Sequence, residues 1–422
     1  MSILIKVDDL SYEDQVKINK DLYIKIENKQ AKFNRFKEII PYKLENDSIT
    51  VPFAFAVNEL SLERKPRREF PTMKVDFTGT LREEQIEAKK EILSHLNKTG
   101  SVIASLHVGF GKTILAIYLA SQIKMKTLII VNKLVLMTQW EESIKTFCPD
   151  AKIQLLKPKM KLDDDFHFYI VNAINVEKFH SDFFNDIGCL IIDELHLIMA
   201  ETLSRSMFHL SPRYLIGLSA TPYREDGLDK LIEFYFGVNK VIRLLNRKHL
   251  VYKINSGFKP TVEKTSDGKL NWGSIIEQQS NNVERNELII KICKKFSKNN
   301  ILILTKRIEQ GNYLYKRLIE EEENVTSLVG ENKTFDRDAR ILIGTTGKCS
   351  TGFDFAKLDC LILACDLEAF FIQALGRILR RKDSDPIVFD IIDNNPVLYK
   401  HFETRKQVYL EVGGEIKNLN VF

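Results

Sequence analysis

Apolar positions recur along this chain in two rhythms. From residue 81, "LREEQIEAKKEILSHL" spaces Leu81, Ile86, Ala88, Ile92 and Leu96 at helical intervals, and "SVIASL" follows as a short continuous apolar run of buried-strand length. "KTILAIYLASQI" returns to a helix. Further apolar runs, "TLIIV", "FHFYIVNA", "CLIIDE" and "YLIGLSA", recur with helical stretches between them, each ending in polar or small residues. Strands that are apolar on both faces and alternate with helices predict a parallel sheet covered on both sides.

The rhythm weakens between 240 and 285, where "SGFKPTVEKTSDGKLNWG" is rich in glycine, lysine and serine, and resumes with "NILILTKR", "ARILIGT", "LDCLILAC" and "PIVFDII". The expected organisation is an α/β domain over 76–240, a connector with its own local structure over 241–285 and a second α/β domain over 286–422. Residues 1–75 mix charge with runs such as "VPFAFAV" and end in the basic, proline-punctuated "ERKPRREFP". They predict a small, partly β domain, a candidate for recognising DNA or a partner.

Length and composition fit this division. The chain has 422 residues, 44% of them hydrophobic, enough for more than one core. A formal net charge of +5 describes a mildly basic surface, which permits a nucleic-acid partner without requiring one. None of the six cysteines has zinc-site spacing with histidine company, and Cys360 and Cys365 bracket an apolar run as buried thiols would. No stretch has signal-peptide or membrane-span character, so the expectation is a soluble, intracellular protein with no membrane partner.

Candidate chemistry lies at the strand ends. "SLHVGFGKT", residues 105–113, sits between a strand and a helix, the order in which backbone amides at a helix N-terminus surround phosphate. Gly109 and Gly111 permit close backbone approach, Lys112 can neutralise phosphate charge and Thr113 can ligate Mg2+. The bland alternative is a Gly-Lys-Thr that merely caps a lysine-bearing helix. "LIIDELH" places Asp193 and Glu194 directly after a buried strand, where α/β sheets hold ligands. Asp193 can hold Mg2+ and Glu194 can orient and deprotonate water, the alternative being a solvated helix cap. Together the two segments point to Mg2+-dependent nucleotide hydrolysis.

These motifs resemble the second superfamily of helicases and translocases, DExH type, in the branch of XPB-type helicases, UvsW-like phage proteins and transcript-release helicases of large DNA viruses of poxvirus, asfarvirus and iridovirus type. The resemblance runs from about residue 78 to 410. It implies two tandem RecA-like domains forming a helicase core behind a small N-terminal domain, with ATP and Mg2+ as cofactors. His107 and Val108 stand where that family usually has Pro and Thr.

Further roles are implied by the resemblance. In "TGTLREEQ", Gln85 matches the glutamine that reads adenine and Arg82 the arginine beside it. "DELH" matches the DExH motif, with His196 relaying nucleotide state, and "LSATP" matches the coupling motif through Ser219 and Thr221. "YREDG", with Arg224, Glu225 and Asp226, resembles a DNA-contacting element. "VNKLVLMTQW" matches a nucleic-acid motif through Lys133, Thr138 and Gln139, with Trp140 read as a packing anchor, and Thr305, Lys306 and Arg307 have the corresponding place in the second domain. "TTGKCSTGFD" brings Thr345 and Thr346 toward nucleic acid and Asp354 toward the nucleotide. "QALGRILRR" supplies Gln373, Arg377 and Arg380, the two arginines three apart on one helical face and expected to reach the γ-phosphate. The last helix, with Arg405 and Tyr409, is expected only to dock on its domain.

The implied function is an ATP-dependent DNA helicase or duplex translocase in viral transcription or in replication and recombination. Its partners would be duplex or forked DNA, RNA or an RNA–DNA hybrid, and a viral RNA polymerase or transcription factors. The virus factory in the host cytoplasm, the virion and the nucleus are the implied locations. A DExH-type RNA helicase shares nearly every core residue, and a nucleotide-regulated scaffold with little hydrolysis is the non-enzymatic alternative.

Overall fold

The computed structural model describes residues 2–27, 36–60, 62, 69–161, 163–198, 208, 210–220, 229–266, 268, 270–332, 334–349, 355–367, 371–381 and 383–419. The chain separates into two compact units, Met1–Arg243 and Leu244–Phe422.

The first unit opens with β1 (Ser2–Lys6), α1 (Tyr12–Asp21), β2 (Ile24–Glu27), β3 (Phe36–Ile39), β4 (Lys43–Glu45), β5 (Ser48–Pro52) and α2 (Phe53–Asn58). Strands β1, β5 and β4 form a small antiparallel sheet, and β2 pairs with β3. Ile5, Leu10, Ile18, Leu22, Val51 and Phe55 close a local core. Ile24, Ile39, Phe53 and Ala54 instead join the core of the large sheet that follows, so the N-terminal region shares its packing with that sheet.

That sheet is built from α3 (Glu83–Thr99), β6 (Ser101–Leu106), α4 (Lys112–Ile123), β7 (Thr127–Val131), α5 (Leu134–Phe147), β8 (Ile153–Leu156), β9 (Phe168–Asn172), β10 (Cys189–Ile192), α6 (Leu195–Ile198), β11 (Tyr214–Ser219), α7 (Asp229–Phe236) and β12 (Lys240–Arg243). Its order is β12-β6-β11-β10-β7-β9-β8, and every pairing is parallel. Both faces are covered by apolar layers, which is why β6, β7, β9 and β10 are buried at every position and mostly apolar rather than alternating. Helix α3 departs from the expected stripe. Gln85, Ala88, Ile92 and Leu96 face inward while Ile86 is exposed, because the helix begins at Glu83 and the buried face is set by residue 85.

The second unit contains β13 (His249–Asn255), α8 (Trp272–Asn281), α9 (Val283–Lys295), β14 (Ile301–Thr305), α10 (Ile308–Glu320), β15 (Val325–Leu328), β16 (Ile341–Thr345), α11 (Thr346–Cys349), β17 (Cys360–Leu363), α12 (Phe371–Ile378), β18 (Ile387–Ile392), α13 (Pro396–Glu411) and β19 (Gly414–Asn418). Its seven strands are again all parallel, in the order β15-β16-β14-β17-β18-β13-β19. Each unit is thus a doubly wound RecA-like sheet with one apolar layer per face. The span 241–285, expected as a connector, contributes β13 to the second sheet and carries α8.

Helix α13 is fastened by charge. Buried Arg405 donates from Nε and Nη2 to the two oxygens of Asp390, both at 2.8 Å, and from Nη1 to Asp366 Oδ1 at 2.8 Å, while Tyr409 donates to Asp390 Oδ2 at 3.0 Å. Arg285 donates to Asp393 Oδ1 at 2.9 Å beside it. The terminal helix docks on its sheet as expected, through paired buried charges as well as apolar contact.

Candidate nucleotide site

The loop after β6 is shaped by its glycines. Gly109 and Gly111 have φ of 87° and 86°, in the left-handed region that residues with a Cβ rarely adopt. A Cβ on Gly111 would lie 2.5 Å from Gln85 Nε2. Gln85 and Arg82 hold the loop from the side. Gln85 Nε2 donates to Phe110 O at 2.9 Å and its Oε1 accepts from Arg82 N at 2.9 Å, while Arg82 Nη2 donates to Gly109 O at 3.1 Å and to Phe110 O. Gln85 is therefore buried with both amide poles engaged on the loop and on the start of α3. Lys112 opens α4 and donates from Nζ to Leu106 O at 3.2 Å, at the end of β6. His107 packs edge-on against Phe110 with its Nδ1 2.9 Å from Val108 O, and burial holds its pKa below the usual histidine value. It is a loop-packing residue.

Strand order brings the acidic pair to this loop. β11 lies between β6 and β10, with Ser219 paired to Ser105 and Gly217 to Ile192, so residues 105–113, 193–194 and 219 emerge at one edge of the sheet. Asp193 is buried, and burial pushes its carboxyl above the ordinary value, with Glu194 adding to the shift and the Trp140 hydrogen bond and Lys112 opposing it. Glu194 has a φ of 49°, a left-handed conformation that is costly for a glutamate. Its Oε2 is buried and accepts no hydrogen bond among the described residues. His196 Nδ1 lies 3.0 Å from Ser219 Oγ and 3.6 Å from Glu194 Oε2.

Trp140 is where sequence reasoning stopped short. It is buried as expected of a packing residue, but its indole N–H donates to Asp193 Oδ2 at 2.8 Å. The only signal was a tryptophan among apolar helix neighbours, which says nothing of a partner 53 positions away.

On α5, Lys133 precedes the first turn and is half-buried with Gln139, while Thr138 is exposed. In the second unit, parallel pairing sets Thr305 beside Thr345, so the segments after β14 and β16 share one sheet edge. Lys306 and Arg307 are exposed and Thr345 and Thr346 half-buried. Thr305 is fully buried, so it does not join the surface expected to meet a phosphate. Gln373 and Arg377 are buried on α12, and Arg377 Nε donates to Cys349 O at 3.2 Å. The expectation that Arg377 and Arg380 share a helical face is corrected: α12 ends at Ile378, where Arg247 Nη1 takes the carbonyl of Leu379 at 2.8 Å, and Arg380 lies beyond the helix. Thr221, Arg224, Glu225, Asp226 and Asp354 lie outside the described residues.

The residues present suit a magnesium nucleotide. The loop turns through two left-handed glycines, at the second of which, Gly111, a Cβ would crowd Gln85, a lysine stands at the helix start, and a buried aspartate lies next to a glutamate whose Oε2 accepts no hydrogen bond among the described residues.

Comparison with known proteins accords with this geometry. Residues 78–224 match the family model described as "Type III restriction enzyme, res subunit". The "Putative helicase 161L" of Invertebrate iridescent virus 6 is 40% identical over 446 residues, covering 99% of this chain and 99% of its own. "Transcript termination protein A18" of Yaba-like disease virus is 26% identical, over 73% of this chain and 72% of its own. Among solved structures, S. cerevisiae Dbp5 bound to RNA and ADP BeF3 shares the fold at 14% identity, with a TM-score of 0.55 over 80% of this chain and 94% of that one. Full-length kinship at this level, with the two parallel sheets, places the chain in its family: it belongs to the superfamily 2 helicases related to those of large DNA viruses, ATP-dependent enzymes that unwind or translocate on nucleic acid.

Proposed function

We propose that this chain is a DNA-directed member of the family, a helicase or duplex translocase that works in viral transcript release or in replication and recombination. The observation that carries the reading is the convergence of Lys112, Asp193, Glu194 and the His196–Ser219 contact at one sheet edge. The A18 relative, named as a transcript termination protein, supports a place in transcription.

In this reading Thr113 and Asp193 hold Mg2+, which supplies charge neutralisation at the phosphates of bound ATP. Lys112 turns its ammonium from the Leu106 carbonyl to phosphate oxygens. Glu194 accepts a proton from the attacking water at Oε2, the oxygen left without a donor among the described residues. Gln85 and Arg82 report adenine occupancy to the loop they hold. Arg377 and Arg380 stabilise the charge of the transition state. His196, Ser219, Thr221 and Gln373 transmit the change from ATP to ADP, and Asp354 contacts the nucleotide. Lys133, Thr138, Gln139, Lys306, Arg307, Thr345 and Thr346 grip sugar and phosphate, and Arg224, Glu225 and Asp226 contact DNA, without reading bases.

The test is a side-by-side measurement of ATP turnover and strand separation on duplex DNA, forked DNA, an RNA–DNA hybrid and duplex RNA. Stimulation by DNA well above that by RNA is expected. Equal or greater stimulation by RNA would replace this reading with an RNA helicase, and no turnover with any polynucleotide would replace it with a binding scaffold.

A further inference from the structure

Trp140 and Asp193 make an unusual buried pair. An indole offers one N–H donor and no acceptor, and a buried tryptophan satisfies it most simply on a neutral carbonyl. Here it is spent on a carboxylate at 2.8 Å, a charge-assisted bond. Asp193 Oδ1 accepts the Glu194 N–H at 3.0 Å, so among the described residues each oxygen has one donor and the plane of the carboxylate is set from two sides. The glutamate N–H is local backbone. The indole belongs to α5, the helix that follows β7, the parallel neighbour of β10.

Helix α5 has two faces. Leu136, Met137, Trp140 and Ile144 are buried, and Thr138 is exposed with Gln139 half-buried beside it. A displacement of the helix by a ligand on its outer face therefore moves the indole and, with it, the donor that orients Asp193. We infer that Trp140 is a positioning residue through which nucleic acid bound at Thr138 and Gln139 sets the carboxylate that holds the metal. The inference rests on the reading of Asp193 as a metal ligand and of the α5 surface as a nucleic-acid contact. Groups that orient a metal ligand through a hydrogen bond typically contribute about 10-fold to 100-fold to metal affinity or activity.

The chain has two tryptophans, so a Trp272→Phe protein reports from Trp140 alone. Its emission is expected to change on adding Mg2+ with ADP and to change again on adding duplex DNA. In the otherwise natural chain, Trp140→Phe keeps an aromatic ring in the core and removes the donor together with part of the indole's volume. It is expected to raise the Mg2+ concentration for half-maximal ATP turnover by about 10-fold or more, and to reduce stimulation by duplex DNA by a larger factor than basal turnover. A Trp140→Phe protein with natural Mg2+ dependence and natural stimulation overturns the inference. So does a Trp272→Phe protein whose emission ignores both additions, a readout independent of whether Trp140→Phe folds. Asp193→Asn separates the two levels: if it leaves Mg2+ dependence unchanged, the metal reading itself falls, and the inference with it.

Discussion

His196 Nδ1 stands 3.0 Å from Ser219 Oγ, joining the segment after β10 to the last residue of β11. The contact exists because those strands are neighbours in a parallel sheet, and either group can change partner with little movement. Ser219→Ala removes the hydroxyl and leaves Lys112, Asp193 and Glu194 in place. ATP turnover is expected to stay within a few-fold of natural while strand separation falls by at least about tenfold, 1.4 kcal/mol of coupling. Parallel losses in the two assays would assign Ser219 to the hydrolytic site itself.

Glu194→Gln preserves shape and removes the base. Turnover should fall by about 10²-fold to 10⁴-fold, the usual worth of a positioned general base, with ATP affinity retained in a fluorescent-nucleotide binding assay. Lys112→Ala should instead lose affinity and turnover together, because the missing charge acts on bound and reacting phosphates alike.

Gly111→Ala combines two penalties at the loop, a φ of 86° and a Cβ 2.5 Å from Gln85 Nε2. Relief requires the Gln85 amide to leave Phe110 O, which frees the loop. A stability loss of about 1 kcal/mol or more is expected in urea unfolding of the first unit, with ATP affinity reduced disproportionately. An alanine protein with natural affinity would show that the loop does not depend on Gln85.

Arg405→Ala strands Asp390, fully buried, without its cation. Removing one member of a buried ion pair costs about 3–5 kcal/mol, and denaturant unfolding of the second unit should move accordingly. Arg405→Met with Asp390→Leu should recover much of the loss, since replacing both partners leaves no bare charge.

Asp366 provides a pH test. Burial alone raises its carboxyl, but hydrogen bonds from His401 at 2.7 Å and Arg405 at 2.8 Å outweigh it and hold the pKa below the ordinary 3.8. A lowered carboxylate contributes stability that is complete above the unfolded value and is lost as pH falls through the folded one. Stability should therefore decline below about pH 4, and Asp366→Asn should be less stable at neutral pH with a shallower decline in acid. An unchanged acid limb would remove Asp366 from the account.

Much of the fold was legible locally. Runs such as "LIIV" and "CLII" are apolar at every position because a parallel strand is covered on both faces, and that requirement is written residue by residue. Gly109 and Gly111 carry their meaning in the same local way, since only glycine takes their φ without strain. The motif residues Lys112, Asp193 and Glu194 could be read because each follows a strand that the pattern already marked.

What the pattern could not supply was the choice of neighbours. Nothing in the run of residues says that β11 enters between β6 and β10, yet that insertion carries Ser219 to His196. Gln85 turned inward where Ile86 was expected, because the loop carbonyl of Phe110 waits on that side and a hydrophobic scale cannot register a hydrogen-bond partner. Thr305 resembled a surface hydroxyl and is buried, since the end of β14 is flanked by β16 and β17. Trp140 looked like core and is core, but the partner of its single donor was decided by which helix covers which strand. Hydrophobic period and glycine φ are properties of a few consecutive residues, whereas the order of parallel strands is fixed by long crossovers whose ends meet only when the whole sheet has packed.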